Sequence, residues 1–206
     1  LIACPAAVLP TDWECVEDKL VGPYADLSNV DLSNHDLTIS NLNNADLSYA
    51  NLTNTDLRYA NLTWTRLTNS NLSNADLTGA NLQYIWATNM LGCPAVLPTD
   101  WLCMDGGVEF GPPNFNLVGP YAFLYNVWLA GTNMSNADLS NTYLRTSMLR
   151  DADLTGANLS GANLWNAQLN GADLTGADLT DILWLNTQCP DGTNSDDNGD
   201  TCENNL

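Results

Sequence analysis

The chain has 206 residues, a net charge of −19 at pH 7 and only five lysine and arginine residues. This charge argues against nucleic-acid binding through phosphate neutralisation and against docking on an anionic membrane. No apolar run approaches the roughly 20 residues of a transmembrane helix, and the remaining roles for the charge are cation binding, a basic partner or simple solubility.

The chain begins with a cysteine loop that recurs, nearly unchanged, in the middle of the sequence. Residues 4–15 read Cys-Pro-Ala-Ala-Val-Leu-Pro-Thr-Asp-Trp-Glu-Cys, residues 93–103 differ mainly by the loss of one alanine, and each loop is followed by Leu-Val-Gly-Pro-Tyr-Ala. A third cysteine pair, Cys189 and Cys202, closes the chain. An even number of cysteines in short local loops predicts disulfides and an oxidising compartment. The predicted bonds are Cys4–Cys15, Cys93–Cys103 and Cys189–Cys202.

Two other states of the cysteines remain possible from sequence. Free thiols in a cytosolic protein are the first. Zinc ligation is the second, and it is disfavoured because the chain has no Cys-x-x-Cys spacing and a single histidine.

Two stretches, residues 25–84 and 122–181, have a strict period of five. Each holds twelve pentads whose central residue is leucine, apart from Met134, and a small residue stands two places earlier, apart from His35. On an α-helix or a flat strand, a period of five would leave half of these leucines in water. The chain must therefore turn after every five residues and wind around a central column of leucines.

The pattern Ala-[Asp/Asn]-Leu-[Ser/Thr]-x, as in Ala75-Asp76-Leu77-Thr78-Gly79, resembles the repeat of the pentapeptide-repeat proteins. The resemblance implies an all-β fold, a right-handed quadrilateral β-helix (solenoid) with four pentads per coil and its leucines inside. Twelve pentads then give two short three-coil helices joined by a disulfide-containing loop. The predicted domains are a Cys-loop cap (1–24), a first β-helix (25–89), a Cys-loop joint (90–121), a second β-helix (122–186) and an acidic, disulfide-closed C-terminal cap (187–206).

The segments that follow the first repeat block are irregular. The apolar pairs Ile85-Trp86 and Met90-Leu91 are predicted to cover the last coil of the first helix. Residues 104–113 are rich in glycine and proline, which predicts a loop.

With four pentads per coil, residues twenty apart stack in ladders, and the second block places large side chains at outward positions. These are Phe123, Tyr125, Trp128, Tyr143, Arg145, Met148 and Trp165. Arg145 is predicted to lie between the rings of Tyr125 and Trp165. An exposed aromatic cluster with arginine is typical of a contact surface for a protein or a glycan. The alternative is that residues 104–116 fold back and cover it.

Two acidic patterns are candidates for cation binding. Asp36, Asp56 and Asp76 should stack in one column. The repulsion between their carboxylates is either screened by water or neutralised by a bound cation. In the tail, Asp196, Asn198 and Asp200 resemble the first positions of dockerin and EF-hand calcium loops. Thr201 stands where such loops have glycine, and the closing glutamate would fall past the end of the chain. A weak calcium site and a polar cap therefore both remain open, and no other cofactor is predicted.

The sequence has no nucleophile–base pair, which predicts that the protein is not an enzyme. Two function classes fit. The first is an extracellular structural or interaction scaffold that is secreted, at the cell surface or periplasmic. Its partner is another copy, bound head-to-tail through the repeated Cys loop, or a different extracellular protein or glycan. The second, implied by the family resemblance, is an acidic DNA mimic that binds DNA gyrase. Neither class involves direct nucleic-acid binding or membrane insertion.

Overall fold

The structure, a computed structural model, describes residues 9–16, 18–106 and 114–203. The chain divides into two units, Leu1–Thr99 and Asp100–Leu206. Their boundary falls inside the segment that the sequence predicts as a joint. Each unit is built from the five-residue repeat, and each is described by itself below.

A tight turn at the end of each pentad makes the chain coil. In the pentad of Leu27, the leucine carbonyl accepts a hydrogen bond from the amide of Val30 at 3.3 Å, and Asn29 between them has a φ of 59°. A left-handed residue at the third position is the signature of a type II turn. Asparagine and glycine tolerate this conformation best, which explains why most pentads end in one of them.

The outward aspartate or asparagine before each leucine stabilises the same turn. The Asp76 side chain accepts hydrogen bonds from the backbone amide of Thr78 at 2.9 Å and from the Thr78 hydroxyl at 2.5 Å. Asp31 accepts from the amide of Ser33 at 3.0 Å in the same way. Such Asx turns favour the short polar residues of the repeat over other outward side chains. The motif Asp/Asn-Leu-Ser/Thr is therefore a local folding signal.

Successive coils are joined by parallel β-bridges between residues twenty apart, such as Asp31 and Asn51. The backbone amide of Leu32 donates to the carbonyl of Asn51 at 2.8 Å, and the Asn51 amide donates to the Asp31 carboxylate at 3.0 Å. In the first unit the ladders include Asp26–Asp46–Arg66–Trp86, Asp31–Asn51–Asn71–Gly92, Asp36–Asp56–Asp76–Val96 and Asn41–Asn61–Asn81. In the second unit they include Phe123–Tyr143–Asn163–Leu183, Trp128–Met148–Gln168–Gln188, Asn133–Asp153–Asp173 and Asp138–Asn158–Asp178.

The core of each unit is the predicted column of central leucines with small residues beside it. Leu57 and Leu154 are fully buried, and Met134, which replaces leucine once, is 1% exposed. Most buried hydroxyls at the small position donate to the backbone, as Thr55 does to the carbonyl of Leu32 at 2.8 Å, and Ser40 donates to the side chain of Glu14. The core therefore holds few polar groups and each hydroxyl has an acceptor.

The coils continue beyond the twelve pentads of each block, so each helix is longer than the three coils that the sequence predicts. In the first unit the ladders reach Trp86, Gly92 and Val96, and in the second they reach Leu183 and Gln188. The apolar residues after the first block thus form part of a further coil instead of a separate cover. Irregular spacing hid this extension, because Gly92 lies one residue out of the strict period.

Each unit starts with an antiparallel hairpin that precedes its first coil. Strand β1 (Glu14–Val16) pairs with β2 (Lys19–Val21), and β3 (Leu102–Asp105) pairs with β4 (Phe115–Val118). The predicted loop at 104–113 therefore begins later than expected, because its first two residues belong to β3, and residues 107–113 lie outside the described residues.

The repeated sequence around these hairpins has a packing reason. A Cβ atom on Gly22 would come within 2.5 Å of the Trp13 ring, and one on Gly119 would come equally close to Trp101. Each tryptophan of the Cys loop therefore packs directly on the glycine of the following Leu-Val-Gly-Pro-Tyr-Ala segment. Only glycine allows this contact.

The C-terminal cap contains the Cys189–Cys202 disulfide and a 3₁₀ helix, Ser195–Asn198. Both cysteines are fully buried, and the Ser195 hydroxyl donates to the carbonyl of Trp184 at 2.9 Å. Cys15, Cys93 and Cys103 are each disulfide-bonded as well. The Cys4–Cys15 bond stays a prediction because Cys4 lies outside the described residues, and the pairing of Cys93 with Cys103 stays a prediction as well.

One pentad end departs from the turn chemistry, and it offers a test of the fold. Ile39 has a φ of 57° and is 78% exposed, although a β-branched side chain strains the left-handed conformation. We expect Ile39→Asn to stabilise the first unit by about 1 kcal/mol, measured as a higher urea midpoint with an unchanged m-value. The converse control is Asn74→Ile, at a φ of 61°, which should destabilise by a similar amount. Lower stability of the Ile39→Asn variant would instead mean that the isoleucine makes a stabilising contact.

Candidate functional site

The second-unit aromatic face is the surface formed by the large side chains predicted to point outward in the second block. Its members are Phe123, Tyr125, Trp128, Tyr143, Arg145, Met148 and Trp165. The ladders bring Phe123 beside Tyr143 with ring centroids 4.6 Å apart, and Tyr125 lies 6.1 Å from Phe123. The spacing of twenty residues thus places Phe123 beside Tyr143 as the sequence predicts, and Tyr125 lies next to Phe123 because the two belong to one pentad.

Arg145 lies over one ring of this face. Its guanidinium carbon is 3.6 Å from the centroid of the Trp165 ring, within range of a cation–π interaction. This contact with Trp165 forms one half of the predicted sandwich, and the contact of Arg145 with Tyr125 stays a prediction. The planar guanidinium is held in place on one face and keeps its hydrogen-bond donors available for a partner.

The neighbouring ladder adds a second apolar strip to the face. Trp128 bridges to Met148, and Trp128 is 44% exposed. Arg150 donates a hydrogen bond to the side chain of Gln168 on the same ladder. A tryptophan and a methionine therefore stand at a position where most other pentads have aspartate or asparagine.

Phe123 is less exposed than the sequence predicts. It keeps only 7% of its surface, whereas Tyr125 on the same pentad keeps 37%. Phe123 carries the first bridge of its ladder, and Tyr143 packs against it, so its ring is covered. The exposed side chains of the face are Tyr125 and Trp128, and its remaining members apart from Phe123 are half-buried.

The predicted acidic column of the first unit forms, but a cation from the chain itself partly neutralises it. Asp36, Asp56 and Asp76 are bridged in succession, and the Arg58 guanidinium lies 2.6 Å from the Asp56 carboxylate. The side-chain hydrogen bond from Arg58 lowers the pKa of Asp56, and the same bond raises the pKa of Arg58. The column therefore has an internal counter-ion.

Asx-turn hydrogen bonds also keep other outward aspartates ionised. The Ser28 hydroxyl and amide hold the pKa of Asp26 below its ordinary value of 3.8. Ser33 does the same for Asp31, and Thr180 does so for Asp178. Since a carboxylate that is deprotonated at neutral pH cannot serve as a proton donor, these groups are poor candidates for general acids.

The three residues predicted to bind calcium take part in the hydrogen-bond network of the cap. The Asp196 carboxylate accepts from the backbone amide of Asn186 at 2.6 Å, and the Asn198 amide donates to the carbonyl of Asn194 at 2.9 Å. Among the described residues no group of three or more His, Cys, Asp or Glu side chains is placed to hold a metal ion. Their role here is to close the polar cap, and calcium at this loop stays an untested prediction.

A second aromatic site, which the sequence did not single out, lies in the first unit. Its residues, named here the first-unit groove, are Tyr24, Asn44, Asp46, Trp64, Arg66 and Trp86, and they line a cavity of about 360 Å³. Tyr24 is 75% exposed and Trp64 is 43% exposed. The sequence signals the contact of Trp64 with Tyr84, twenty residues on. Trp86 is predicted only to help cover the last coil, and Tyr24 is not predicted to line a site, because both residues lie just outside the strict repeat.

Two adjacent ladders build this groove. Tyr24, Asn44, Trp64 and Tyr84 follow one another at intervals of twenty residues along a column of turns. The rings of Trp64 and Tyr84 stack with centroids 4.5 Å apart and planes inclined by 12°. Beside this column runs the ladder that carries Asp46, Arg66 and Trp86. The groove thus combines an aromatic wall with charged groups.

No helix in the described ranges 9–16, 18–106 and 114–203 is long and apolar enough to cross a membrane.

Solved structures of several proteins are similar to this chain. HetL, a pentapeptide repeat protein involved in heterocyst differentiation regulation from the cyanobacterium Nostoc sp. strain PCC 7120, is 28% identical, with a TM-score of 0.37 over 84% of this chain and 73% of that one. A pentapeptide repeat protein from the Arabidopsis thaliana thylakoid lumen is 19% identical, with a TM-score of 0.27 over 77% and 71%. QnrB1, a plasmid-mediated fluoroquinolone resistance protein, is 16% identical in a trypsin-treated form, with a TM-score of 0.27 over 77% of each chain. Because all three TM-scores are below 0.5, we draw no functional conclusion from them.

Comparison with curated protein sequences found no match. The family model for pentapeptide repeats, in contrast, matches in eight copies, over residues 24–58, 55–89, 122–160 and 147–182. These segments cover more than half of the chain and coincide with the coils described above. The chain therefore belongs to the pentapeptide-repeat family.

Proposed function

We propose that this protein is a non-catalytic scaffold that holds a partner protein through the second-unit aromatic face. The observation that carries the proposal is the exposure of Trp128 (44%) and Tyr125 (37%) at positions where the repeat elsewhere places short polar residues. Exposed apolar patches on soluble proteins commonly mark contact sites. Aromatic residues, methionine and arginine are the types enriched at such contacts.

The pairing of Arg145 with Trp165 supports the same role. Stacking at 3.6 Å orders a long side chain before any partner arrives. Because less side-chain entropy is lost on binding, a pre-ordered arginine is a better anchor than a freely rotating one. The Phe123–Tyr143 pair fixes the surface beneath it in a similar way.

A scaffold without catalysis also agrees with the placement of the titratable groups. The aspartates point outward along ladders and are engaged in Asx turns, as for Asp31 and Asp178. A general acid–base site needs such groups to converge in a pocket with matched pKa values. The buried interior of each unit is filled with leucine and small residues.

The finer points of the fold and the location belong to the proposal. We take each unit to be a right-handed quadrilateral β-helix, as the family resemblance implies. Disulfide bonding of Cys189 with Cys202 supports a secreted, cell-surface or periplasmic location, because cytosolic thiols stay reduced. Acid quenching of the source cells followed by alkylation would measure directly whether the cysteines of the protein are oxidised. Alkylation of all six cysteines would contradict the proposed location.

Site-specific photo-crosslinking tests the proposed contact surface. We expect a benzoylphenylalanine at position 128, in place of Trp128, to give a discrete protein adduct in the source organism. The control places the same group at Thr180, which is exposed and follows Asp178 of the Asp138–Asn158–Asp178 ladder, two turns further along the coil than the Trp128 ladder. An adduct specific to position 128 supports the proposal, whereas equal adducts at both positions, or none, would overturn it.

The identity of the adduct separates the possible partners. A crosslinked second copy of this chain would indicate self-assembly, including the head-to-tail arrangement that the repeated Cys loop suggests. Another extracellular protein would indicate a hetero-complex.

The second candidate function is binding of DNA gyrase by an acidic DNA mimic. The observation in its favour is the net charge of −19, which resembles that of a nucleic acid in sign. The disulfides argue against it, since gyrase is cytoplasmic. An adduct with gyrase in the crosslinking experiment would replace the first candidate by this one.

A further inference from the structure

We propose that the first-unit groove is a binding site for a neutral glycan. The proposal concerns a different unit and a different surface from the second-unit aromatic face, and it stands independently of the function proposed above. Four observations support it: an aromatic platform, a gap along the column of rings, a pair of complementary polar groups, and the departure of these residues from the repeat.

The platform is the ring of Trp64. One of its faces stacks on Tyr84 at 4.5 Å, so the opposite face is directed toward the level of Asn44 in the preceding coil. Trp64 remains 43% exposed in this arrangement. The C–H groups on one face of a pyranose ring carry partial positive charge and pack well on the electron-rich face of an indole.

The gap lies at the level of Asn44, the one member of the column without a ring. Tyr24 and Trp64 are two coils apart, which corresponds to about 10 Å at the usual strand spacing. A ring inserted at this level would lie about 5 Å from each of them. The Asn44 amide is turned toward the side chain of Asn43, with which it forms a hydrogen bond. The cavity volume of about 360 Å³ falls in the range of small-molecule sites, roughly 300–1,000 Å³.

The polar groups at this level suit hydroxyls. Asp46 and Arg66 are bridged on adjacent coils, so an acceptor and a donor lie side by side along the groove. A hydroxyl both donates and accepts, and a pair of neighbouring hydroxyls can satisfy a carboxylate and a guanidinium together. In the described part of the chain no ion pair or side-chain hydrogen bond engages the Arg66 guanidinium. Because the chain carries a charge of −19, an acidic glycan would be repelled, and we therefore infer a neutral one.

The repeat itself gives no structural reason for these side chains. Trp64 and Tyr24 have φ values of 62° and 61°, in the left-handed region where asparagine or glycine is less strained. In the other eleven pentads of the first block, the ladder position of Arg66 is occupied by aspartate or asparagine, which form the Asx turn. Trp64 gains packing on Tyr84, but Tyr24, which is 75% exposed, and Arg66 break a local folding rule, and such departures are expected at functional sites.

Isothermal titration calorimetry with a panel of neutral hexasaccharides (cellohexaose, laminarihexaose, maltohexaose and chitohexaose) tests the site. We expect at least one of them to bind the full chain, and Trp64→Asn to weaken that binding about tenfold or more. Arg66→Asn should weaken it as well. Both variants restore the residue preferred by the repeat, so folding should be retained, and circular dichroism checks this. The matched control is Tyr49→Asn, since Tyr49 is 62% exposed at the same pentad position but lies outside the groove.

Three results would overturn the proposal. They are a lack of binding to every member of the panel, unchanged binding in Trp64→Asn, and binding that is lost only in Trp128→Asn. The last result would place the glycan on the second-unit aromatic face. Since the crosslinking experiment reports on that face and calorimetry on the groove, failure of one proposal leaves the other testable.

Discussion

Replacing Leu57 by alanine should lower the free energy of unfolding by about 2–5 kcal/mol. Leu57 is fully buried in the middle of the first unit, with Leu37 and Leu77 stacked one coil away on either side. The loss should lie in the upper part of the range, because the surrounding backbone cannot collapse into the cavity. The amide of Leu57 donates to the carbonyl of Asp76 at 2.8 Å, and that of Leu37 donates to the carbonyl of Asp56 at 2.8 Å.

Urea unfolding followed by circular dichroism measures this loss. The matched control is Leu57→Met, since methionine occupies the equivalent position at Met134 with 1% exposure. A volume-conserving exchange of this kind should cost less than about 1.5 kcal/mol. A loss of under 1 kcal/mol for the alanine variant would show that the leucine column relaxes around a cavity more readily than the bridged coils imply.

Removal of the Cys189–Cys202 disulfide should destabilise the second unit by about 2–4 kcal/mol. The bond closes a loop with a sequence separation of 13, and both cysteines are fully buried in the core of the unit. Opening this loop lets the cap move away from Trp184, which is 3% exposed beneath it. The double variant Cys189→Ala and Cys202→Ala removes both sulfur atoms, so that no free, reactive thiol is left buried in the core.

Hydrogen exchange measured by mass spectrometry localises the effect. We expect amides near the cap, from Leu164 to Gln188, to lose protection in the double variant. Those of the first unit, such as Leu47 to Leu67, serve as the internal control because solenoid coils interact mainly with their neighbours. Unchanged protection near the cap would mean that the hydrogen bonds of Ser195 and Asp196 hold it without the disulfide.

The sequence alone predicts the parts of this protein that depend on local and periodic chemistry. A leucine every fifth residue requires a turn after each pentad, and the Asp/Asn-Leu-Ser/Thr motif supplies the hydrogen bonds of that turn. The spacing of twenty residues then predicts the ladders, including the Phe123–Tyr143 contact and the stacking of Trp64 on Tyr84. Both contacts follow because, in a solenoid, the number of residues per coil determines which residues lie next to each other on successive coils.

The tertiary structure decides what lies at the ends of the coils and between adjacent ladders. The burial of Phe123 and the extension of the ladders to Val96 were not readable from the strict period. The first-unit groove depends on two ladders meeting at one side of a coil, and the strict repeat includes neither Tyr24 nor Trp86. The engagement of Asp196 with the amide of Asn186 likewise joins residues of an irregular cap. Contacts of this kind depend on how side chains pack in three dimensions, and no local motif or period specifies them.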